Sequence, residues 1–396
     1  IRIAKVQSRP SDPRAGIRAA LAAVGLEWET VADLVHGTTL VTNAIVEDRL
    51  AKVALITTKG FGDSLAIGRQ NRKHLYRLDL APKSAPQVPA ERRIEIRERL
   101  DAQGNILVAL NNEAVDEAVN QALATGAEAI AVSFLHAYAN GAHERKVAVA
   151  LQPKVLPVAL SHEVNPESRE YERTATTVLS ASVMPLAATY LEQLEDATPE
   201  DSRLHFFHSS GGMASPAALS HLPLGFALSG PAAGVTAACK VSRELGIGHA
   251  ISLDMGGTST DVCLIVNGHA QISVDHSIGD RPLRQPMVAI ESIGAGGGSI
   301  AWIDNGGFLQ VGPHSAGADP GPACYGLGGQ APTVTDANLV LNRLIPEFFL
   351  NGEMRLSIDS ATKAIATVSE SEKPNLEEIA TSITQISEDN MANAIR

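Results

Sequence analysis

The sequence predicts an α/β fold for this chain of 396 residues. Within the first ~165 residues, short apolar runs typical of buried strands alternate with stretches whose apolar residues recur every three to four positions. Loops rich in glycine and serine then separate further strand and helix patterns. Hydrophobic residues make up 44% of the chain. This content is enough for two or three domains with well-buried cores.

The elements of the first part follow from local patterns. Lys52–Thr58 (KVALITT) is an apolar run and predicts a buried strand. Arg93–Arg99 (RIEIRER) alternates apolar and charged residues, which predicts a strand with one solvated face. Asn112 is placed to cap a helix that ends at Gly126, and Ala129–Leu135 (AIAVSFL) then reads as another buried strand.

A long helical stretch, Ser168–Leu194, predicts the boundary between two parts of the molecule, with a break or bend near Pro185. We therefore divide the chain into domains 1–165 and 166–396. Beyond the helix, Arg203–Phe207 predicts a short strand that leads into the loop HSSGGMAS. The segment SGPAAG then opens a helix that runs to about Glu244.

Composition and charge exclude several classes of protein. The net charge of -12 is spread along the chain, which argues against a nucleic-acid or anionic-membrane surface as the main partner. The three cysteines lack CxxC spacing, so they suggest neither a disulfide framework nor a zinc site. No apolar run approaches the ~20 residues that span a bilayer. A cytoplasmic enzyme is the expectation.

The most informative segment is a predicted hairpin around DMGGTSTD, Asp254–Asp261. Ala250–Leu253 and Val262–Val266 are apolar strands on either side of this loop. Asn267-Gly268 predicts a type I′ turn into a third strand, His269–Val274. The loop is therefore a tight turn between two strands.

The loop has the residue types that bind a nucleotide phosphate. Two glycines leave amide N–H groups open to an anion, and threonine and serine hydroxyls can add contacts. The predicted cofactor contacts are Gly256, Gly257, Thr258, Ser259 and Thr260. Asp254 and Asp261 can hold Mg²⁺ and are the predicted metal-binding and catalytic acids. The alternative is an ordinary hairpin with a glycine turn, which needs neither flanking acids nor three consecutive hydroxyl residues.

The string D-x-G-G-T-x-T-D resembles the phosphate hairpin of the actin/sugar-kinase/heat-shock ATPase superfamily. Around it, a longer series of motifs resembles the hydantoinase A/5-oxoprolinase family over essentially the whole chain. These motifs are HGTTLVTNAIVE (His36–Glu47), TTKGFGDSLAIGRQNR (Thr57–Arg72), SREYERTATTVLSASVMP (Ser168–Pro185), ALSGPAAGV, SLDMGGTSTDV, SIGAGGGSIAWID, VGPHSAGADPGPACYGLGG and PTVTDANL.

The resemblance implies a duplicated, ribonuclease H-like α/β fold with ATP and Mg²⁺ as cofactors and a hydantoinase B-type subunit or domain as partner. It also implies an oligomer, and a chain that is incomplete at both ends here. A first phosphate hairpin would lie before Ile1, and an adenosine-side glycine motif would lie beyond Arg396. This stretch alone is then not expected to turn over ATP.

Other small-residue loops supply further candidate cofactor contacts. SGPAAG lies at a helix start that favours an anion, although close helix packing explains it equally well. HSSGGMAS can equally be a plain turn. IGAGGGS (Ile293–Ser299) precedes a strand-like segment, so it does not fit a dinucleotide fingerprint. The glycines concerned are Gly230, Gly234, Gly211, Gly212, Gly296 and Gly297.

Several polar side chains remain as candidates for the chemistry. Asp319 is a third predicted catalytic acid, whereas Asp336 can be an acid or a helix cap. His314 and Cys324 lack metal-ligand spacing, which favours a solvated histidine and a small buried cysteine. The predicted substrate contacts are His36 and Thr38 in HGTT, and Arg69 and Asn71 with Arg72 in GRQNR. Structural hydrogen bonds or simple solvation would also account for them.

Three functions remain compatible with the resemblance. The first is ATP-dependent hydrolysis of a cyclic amide, a hydantoin or 5-oxoproline-like ring, through phosphorylation of the amide oxygen. The second is an ATP-dependent ketone carboxylase subunit of the acetone carboxylase type. The third is a non-catalytic, actin-like module that binds a nucleotide to control assembly.

Overall fold

The structure is a computed structural model, and it describes residues 2–4, 6, 12–71, 76, 85–154, 156–369, 371 and 374–396. The helices are α1 (Pro13–Ala23), α2 (Leu40–Val46), α3 (Ser64–Ile67), α4 (Asn112–Ala124), α5 (Ala142–Leu151), α6 (Ser161–Val164), α7 (Glu170–Ala197), α8 (Pro216–His221), α9 (Ser229–Glu244), α10 (Val334–Val340), α11 (Ile358–Ala366) and α12 (Leu376–Ile395). The strands are β1 (Asp33–His36), β2 (Val53–Thr58), β3 (Arg93–Ile96), β4 (Arg99–Leu100), β5 (Ile106–Val108), β6 (Ala129–Ser133), β7 (Val158–Leu160), β8 (Arg203–Phe207), β9 (Met213–Ala214), β10 (His249–Met255), β11 (Thr260–Val266), β12 (His269–Ala270), β13 (Ile272–Ile278), β14 (Arg281–Val288), β15 (Glu291–Ile293), β16 (Ser299–Ile303) and β17 (Leu309–Ser315).

The chain forms two compact units. The first contains Ile1–Ala233 with Ile272–Val288, and the second contains Gly234–Gln271 with Ala289–Arg396. The division into domains 1–165 and 166–396 differs from these compact units and stays a prediction. Residue 165 lies inside the first unit because α7, which follows it, packs against β6 and β14 of that same unit.

A parallel sheet of order β3-β2-β6-β7 organises the first unit. Every residue of β2 and β6 is buried, as expected for central strands covered on both faces. Helices α4 and α5 cover one face and α7 covers the other. The predicted buried strands are confirmed, but the run Arg93–Arg99 is split between β3 and β4.

Helix α4 begins one residue earlier than the predicted cap implies. The side chain of Asn111, not of Asn112, accepts a hydrogen bond from the N–H of Ala114. Asn112 is the first helical residue, so its own side chain cannot take the capping position. The predicted C-terminal signal is confirmed, because Gly126 follows the helix with φ of 68°.

Helix α7 runs as one element of 28 residues through Pro185. It is the one described helix long and apolar enough to cross a membrane, so the expectation that no apolar run approaches that length was wrong. Most of its apolar window, 72%, is buried inside the protein, which fits the core helix of a globular unit.

The rest of the first unit surrounds the carboxyl half of α7. Strand β1 lies parallel to β8, and β8 and β9 form a short antiparallel pair. The hairpin β13–β14 packs on α7 as well. Phe206 and Phe226 are fully buried in the core that these elements share with α7.

The second unit is built on a sheet of β10, β11 and β12, with β15 paired to β11. The hairpin β10–β11 is confirmed, and positive φ angles at Asn267 and Gly268 confirm the turn after it. The third predicted strand, His269–Val274, is not continuous. Its first residues form β12, and the remainder belongs to β13, which pairs with β14 instead. Helices α10, α11 and α12 form a core with β16 and β17.

Candidate functional site

The tip of the hairpin β10–β11 is a four-residue turn, Gly256–Ser259. Asp254 lies opposite Asp261 in the strand register, and Met255 lies opposite Thr260. The N–H of Gly256 donates to the carbonyl of Ser259 over 2.8 Å and closes the turn. The strands therefore hold the turn with the two aspartates at its base.

The turn uses two of its carbonyls in hydrogen bonds to the 293–299 loop and leaves three of its amides without a partner. The carbonyls of Gly256 and Gly257 accept hydrogen bonds from the N–H groups of Gly297 and Gly298, over 3.0 and 2.6 Å. Within the described residues, the N–H groups of Gly257, Thr258 and Ser259 have no hydrogen-bond partner. Gly257 and Thr258 are exposed. Three consecutive free amides are donors suited to an anion such as a phosphate.

Asp254 and Asp261 are cross-strand partners, so their side chains leave the sheet on the same face, with Cβ atoms about 4.5–5.5 Å apart. Burial raises the pKa of Asp261. A hydrogen bond from Ser292 lowers this pKa, whereas the nearby negative charge of Asp254 raises it. Two adjacent carboxylates repel each other, and a divalent cation would relieve that repulsion. No group of three or more His, Cys, Asp or Glu that could hold a metal ion is found among the described residues. A Mg²⁺ held here would thus need phosphate or water oxygens as well.

The predicted phosphate contact of the Thr260 hydroxyl does not fit the structure. Its side chain is fully buried, and its hydroxyl donates to the carbonyl of Ala295. Because Thr260 is the first residue of β11, it faces the opposite side from Asp261 and points into the unit, next to Met391. Thr258 and Ser259 lie in the turn itself and remain the candidate hydroxyls.

The IGAGGGS loop packs against the turn Gly256–Ser259 and is hydrogen-bonded to its backbone. The N–H groups of Gly296 and Gly297 are already used, by the hydroxyl of Ser299 and the carbonyl of Gly256. A side chain at Gly296 would lie 2.7 Å from backbone atoms of Gly257 and Thr258. Contact of these glycines with a cofactor stays a prediction. The contact that the structure gives them is with the backbone of the turn.

We expect Gly296→Ala to displace the turn, because the new Cβ would collide with backbone atoms of Gly257 and Thr258, which cannot move aside as a flexible side chain could. Overpacking of this kind costs about 1–3 kcal/mol. Thermal unfolding and ATP titration of the whole protein would measure the loss of stability and affinity. Gly16→Ala is the matched control, since an added Cβ at Gly16 in α1 meets nothing within 4 Å. Equal behaviour of the two variants would contradict the supporting role.

Asp336 is a helix cap rather than an exposed acid. It is fully buried, and with Thr333 it forms a capping box at the start of α10. Its carboxylate also accepts the N–H of Cys324 over 2.8 Å. Burial and Asp336 raise the pKa of the Cys324 thiol, which disfavours a metal-binding thiolate. Asp319 and His314, by contrast, are exposed residues near the 315–317 segment that contacts the turn.

The predicted substrate residues His36 and Thr38 lie in the first unit. Nε2 of His36 is 2.5 Å from the hydroxyl of Tyr190, and burial lowers the pKa of His36 to about 4. Thr38 exchanges hydrogen bonds with Ser229 at the start of α9, through its N–H and its carbonyl. The structure thus brings the HGTT segment and Gly230 together, and the neutral histidine and Tyr190 form a polar pair beside them.

The depressed pKa of His36 predicts a pH-dependent stability. The unfolded chain binds a proton at His36 below its ordinary pKa of 6.5, whereas the folded chain resists protonation down to about pH 4. Stability is therefore lost as the pH falls through this window, by at most roughly 3 kcal/mol from this group. His36→Gln should flatten the unfolding free energy between pH 6.5 and 4 relative to wild type. The exposed His269→Gln should not, and an unchanged slope in His36→Gln would contradict the assignment.

The remaining predicted contacts are distributed over the first unit and the start of α9. Arg69 forms a two-pronged ion pair with Glu172 over 2.7 and 2.6 Å, so its guanidinium already has a partner. Asn71 is exposed, and Arg72 lies outside the described residues. Gly211 and Gly212 form the tight turn between β8 and β9, where the N–H of His208 donates to the carbonyl of Gly212.

SGPAAG opens α9, as predicted, but as its first two turns rather than as a preceding loop. A Cβ added at Gly230 would lie 3.9 Å from the Thr39 side chain, an ordinary van der Waals distance, so packing at this contact does not require a glycine. Gly234 lies within the helix and is exposed. Cofactor contacts of both glycines stay predictions.

Together these features define a mixed α/β protein whose glycine turn presents free amides between paired carboxylates. Family comparison agrees with this class: residues 173–396 match Hydantoinase/oxoprolinase, and residues 1–155 match the Hydantoinase/oxoprolinase N-terminal region. The chain belongs to the hydantoinase/oxoprolinase family.

Relatives of this chain carry different activities. It is 37% identical to the caprolactamase subunit alpha of Pseudomonas jessenii, over 92% of this chain and 54% of the relative. It is 32% identical to the 5-oxoprolinase of Saccharomyces cerevisiae, over 94% of this chain and 32% of that protein. The chain thus spans about half or less of the length of these relatives.

Solved structures show the same architecture. The crystal structure of the ATP-dependent caprolactamase from Pseudomonas jessenii superposes with a TM-score of 0.85 at 35% identity, over 100% of this chain and 60% of that one. The nucleotide-free structure of acetone carboxylase, studied for ATP-dependent acetone carboxylation, gives a TM-score of 0.79 at 28% identity, over 99% and 58%.

Proposed function

We propose that the whole protein hydrolyses a cyclic amide in an ATP-dependent reaction. The observation that carries this proposal is the turn Gly256–Ser259, whose three free amides follow Asp254 and precede Asp261 at the end of the hairpin. The amides of Gly257, Thr258 and Ser259 would bind phosphate oxygens, and the two aspartates would hold Mg²⁺. Among the relatives, caprolactamase and 5-oxoprolinase act on cyclic amides, which supports the substrate class.

A cyclic amide resists hydrolysis because its nitrogen donates electrons into the carbonyl. When bound, ATP would supply the phosphoryl group that converts the amide oxygen into a leaving group. The protein's contribution is then positioning and electrostatic: fixed N–H groups and a cation stabilise negative charge without having to reorient. The paired carboxylates recruit that cation, and the IGAGGGS loop holds the backbone of the turn through hydrogen bonds.

We further propose an actin-like, ribonuclease H-like duplicated fold for the complete chain, and a cytoplasmic oligomer with a hydantoinase B-type subunit or domain. The description of the caprolactamase relative as a subunit alpha supports a complex of several chains. The B-type partner would complete hydrolysis to the open-chain acid.

A second candidate is an ATP-dependent carboxylase subunit. It is favoured by the likeness to acetone carboxylase over 99% of this chain. The two candidates share the phosphate turn and differ in the activated group, which is an amide oxygen in one and a ketone in the other. The turn therefore does not discriminate between them.

Substrate-dependent ATP turnover separates the candidates. The full-length protein with its partner would be assayed for phosphate release with 5-oxoproline, hydantoin, caprolactam, and acetone with bicarbonate. Stimulation by one of the cyclic amides, with formation of the open-chain acid, is the expected result. Stimulation by acetone and bicarbonate alone would replace the amide hydrolase by the carboxylase.

A further inference from the structure

Arg173 is a fully buried arginine in the second turn of α7. Its Nη2 donates to the carbonyl of Phe134 over 2.8 Å and lies 3.5 Å from the carboxylate of Glu170. Within the described residues, Nε and Nη1 are buried and have no hydrogen-bond partner. Unsatisfied buried donors on a charged group are costly, so a structure that retains them calls for an acceptor that is not part of the chain.

The position of Arg173 in the sheet is one where α/β proteins bind ligands. In the order β3-β2-β6-β7, the chain leaves β2 toward one edge and later returns to β6 on the other side. A crevice opens at the carboxyl ends of the two strands where the order reverses in this way. Thr57 near the end of β2 and Ser133 at the end of β6 lie at this point, and both line a cavity with Arg173.

That cavity has a volume of about 10 Å³, room for one water-sized group. Phe61, Ser64 and Glu170, which are only partly buried, line its outer side. The hydroxyls of Thr57 and Ser64 already donate to the carbonyls of Ser133 and Phe61.

The cavity has more donors than acceptors. Ser133 and Thr174 share one hydrogen bond of 2.8 Å, which leaves one hydroxyl proton of the pair to donate elsewhere. That proton and the two free nitrogens of Arg173 all need acceptors. The one carboxylate at the cavity, Glu170, contacts Arg173 through Nη2 and not through these free nitrogens.

The buried positive charge of Arg173 also favours a bound anion. Burial lowers the pKa of Arg173 even though the negative charges of Glu144 and Glu170 act to raise it, so the environment disfavours the positive charge; a guanidinium nevertheless stays protonated in proteins. Tyr138 faces the guanidinium with its ring centre at 5.3 Å, and Glu170 is partly exposed to solvent. A bound anion would satisfy the donors and offset the buried charge together.

We propose that the crevice at the carboxyl ends of β2 and β6 binds a small monatomic anion, a halide, against Arg173. Nε and Nη1 of Arg173 and a hydroxyl of the Ser133–Thr174 pair donate to it. The site does not rest on the proposed ATP chemistry, because it uses none of the residues of the phosphate turn.

Chloride titration with thermal unfolding tests the site in solution. The wild-type protein should be stabilised saturably by chloride, by a few degrees, but not by the larger methanesulfonate at the same ionic strength. Arg173→Met should abolish the chloride effect. Arg281→Met is the matched control and should keep it, because the Arg281 nitrogens are used by the carbonyl of Ile45 and by Asp48. Equal responses to the two salts in wild type would overturn the proposal.

Bromide gives a direct view that does not depend on a variant's folding. Crystals of the wild-type protein soaked in bromide should show an anomalous peak at hydrogen-bond distance from Nε or Nη1 of Arg173. A peak there together with saturable chloride stabilisation supports the site. Absence of the peak, with a water in the cavity, would overturn the proposal. So would a bromide peak without any chloride effect in solution, because that outcome would mean an adventitious ion only.

Discussion

Asp254→Asn in the whole protein is expected to lower kcat for substrate-dependent ATP turnover by about 10²–10³-fold, the usual effect of removing one group that stabilises transition-state charge. The substitution keeps the size of the side chain but removes one of the two carboxylates that face each other across β10 and β11. Loss of that charge weakens the hold on Mg²⁺. It also relieves the repulsion that helps to raise the pKa of Asp261, so that pKa should fall.

The measurement combines phosphate release at saturating substrate with an NMR titration of Asp261. Asp359→Asn is the control: Asp359 is an exposed aspartate in the first turn of α11 and should leave turnover unchanged. Substrate-dependent ATP hydrolysis at the wild-type rate in Asp254→Asn would contradict a role of Asp254 in ATP turnover. A large loss in both variants would indicate misfolding and not a missing ligand.

The hairpin could be predicted from sequence because its signals are local. Two apolar runs, a glycine turn and an Asn-Gly turn each depend on a few neighbouring residues, and all were found where expected. The same holds for the strands β2 and β6, whose uninterrupted apolar character follows from burial on both faces. Local patterns and burial therefore identify elements well.

Orientation within the hairpin was less predictable. Thr258, Ser259 and Thr260 look equivalent in the sequence, yet only Thr260 is directed into the unit, where it contacts Ala295. Because successive side chains of a strand point to opposite faces, the face of Thr260 could be assigned once the first residue of β11 is known. The boundary of a strand is the least reliable part of a prediction from pattern, so the face of Thr260 was missed.

Long-range contacts were not accessible to sequence reasoning. Tyr190 lies beside His36 although 154 residues separate them, and no local pattern links the two. Gly298 was overlooked as the third glycine of its run, although its N–H donates to the turn. Arg173 offered a usable signal: it directly precedes a long uncharged stretch of α7 that becomes core. A charged residue next to the buried stretch of a core helix needs a hydrogen-bonding or charged partner.

Asp336→Asn should lower the free energy of unfolding by about 2–4 kcal/mol, the largest effect on stability that we expect from one substitution in the second unit. The carboxylate of Asp336 accepts the N–H and hydroxyl of Thr333 through Oδ2 and the N–H of Cys324 through Oδ1. An amide has only one oxygen. Its NH₂ group would therefore face donors in a fully buried site and leave at least one of them unsatisfied.

Urea unfolding monitored by circular dichroism gives the midpoint for this comparison, with Asp359→Asn again as the exposed control, expected to change stability by less than about 1 kcal/mol. The experiment also decides between the two roles that the sequence left open for Asp336. A helix cap predicts a lower midpoint, with turnover lost only in proportion to unfolded protein. Unchanged stability with abolished ATP turnover would instead make Asp336 a catalytic acid, and the capping box would then be incidental to its function.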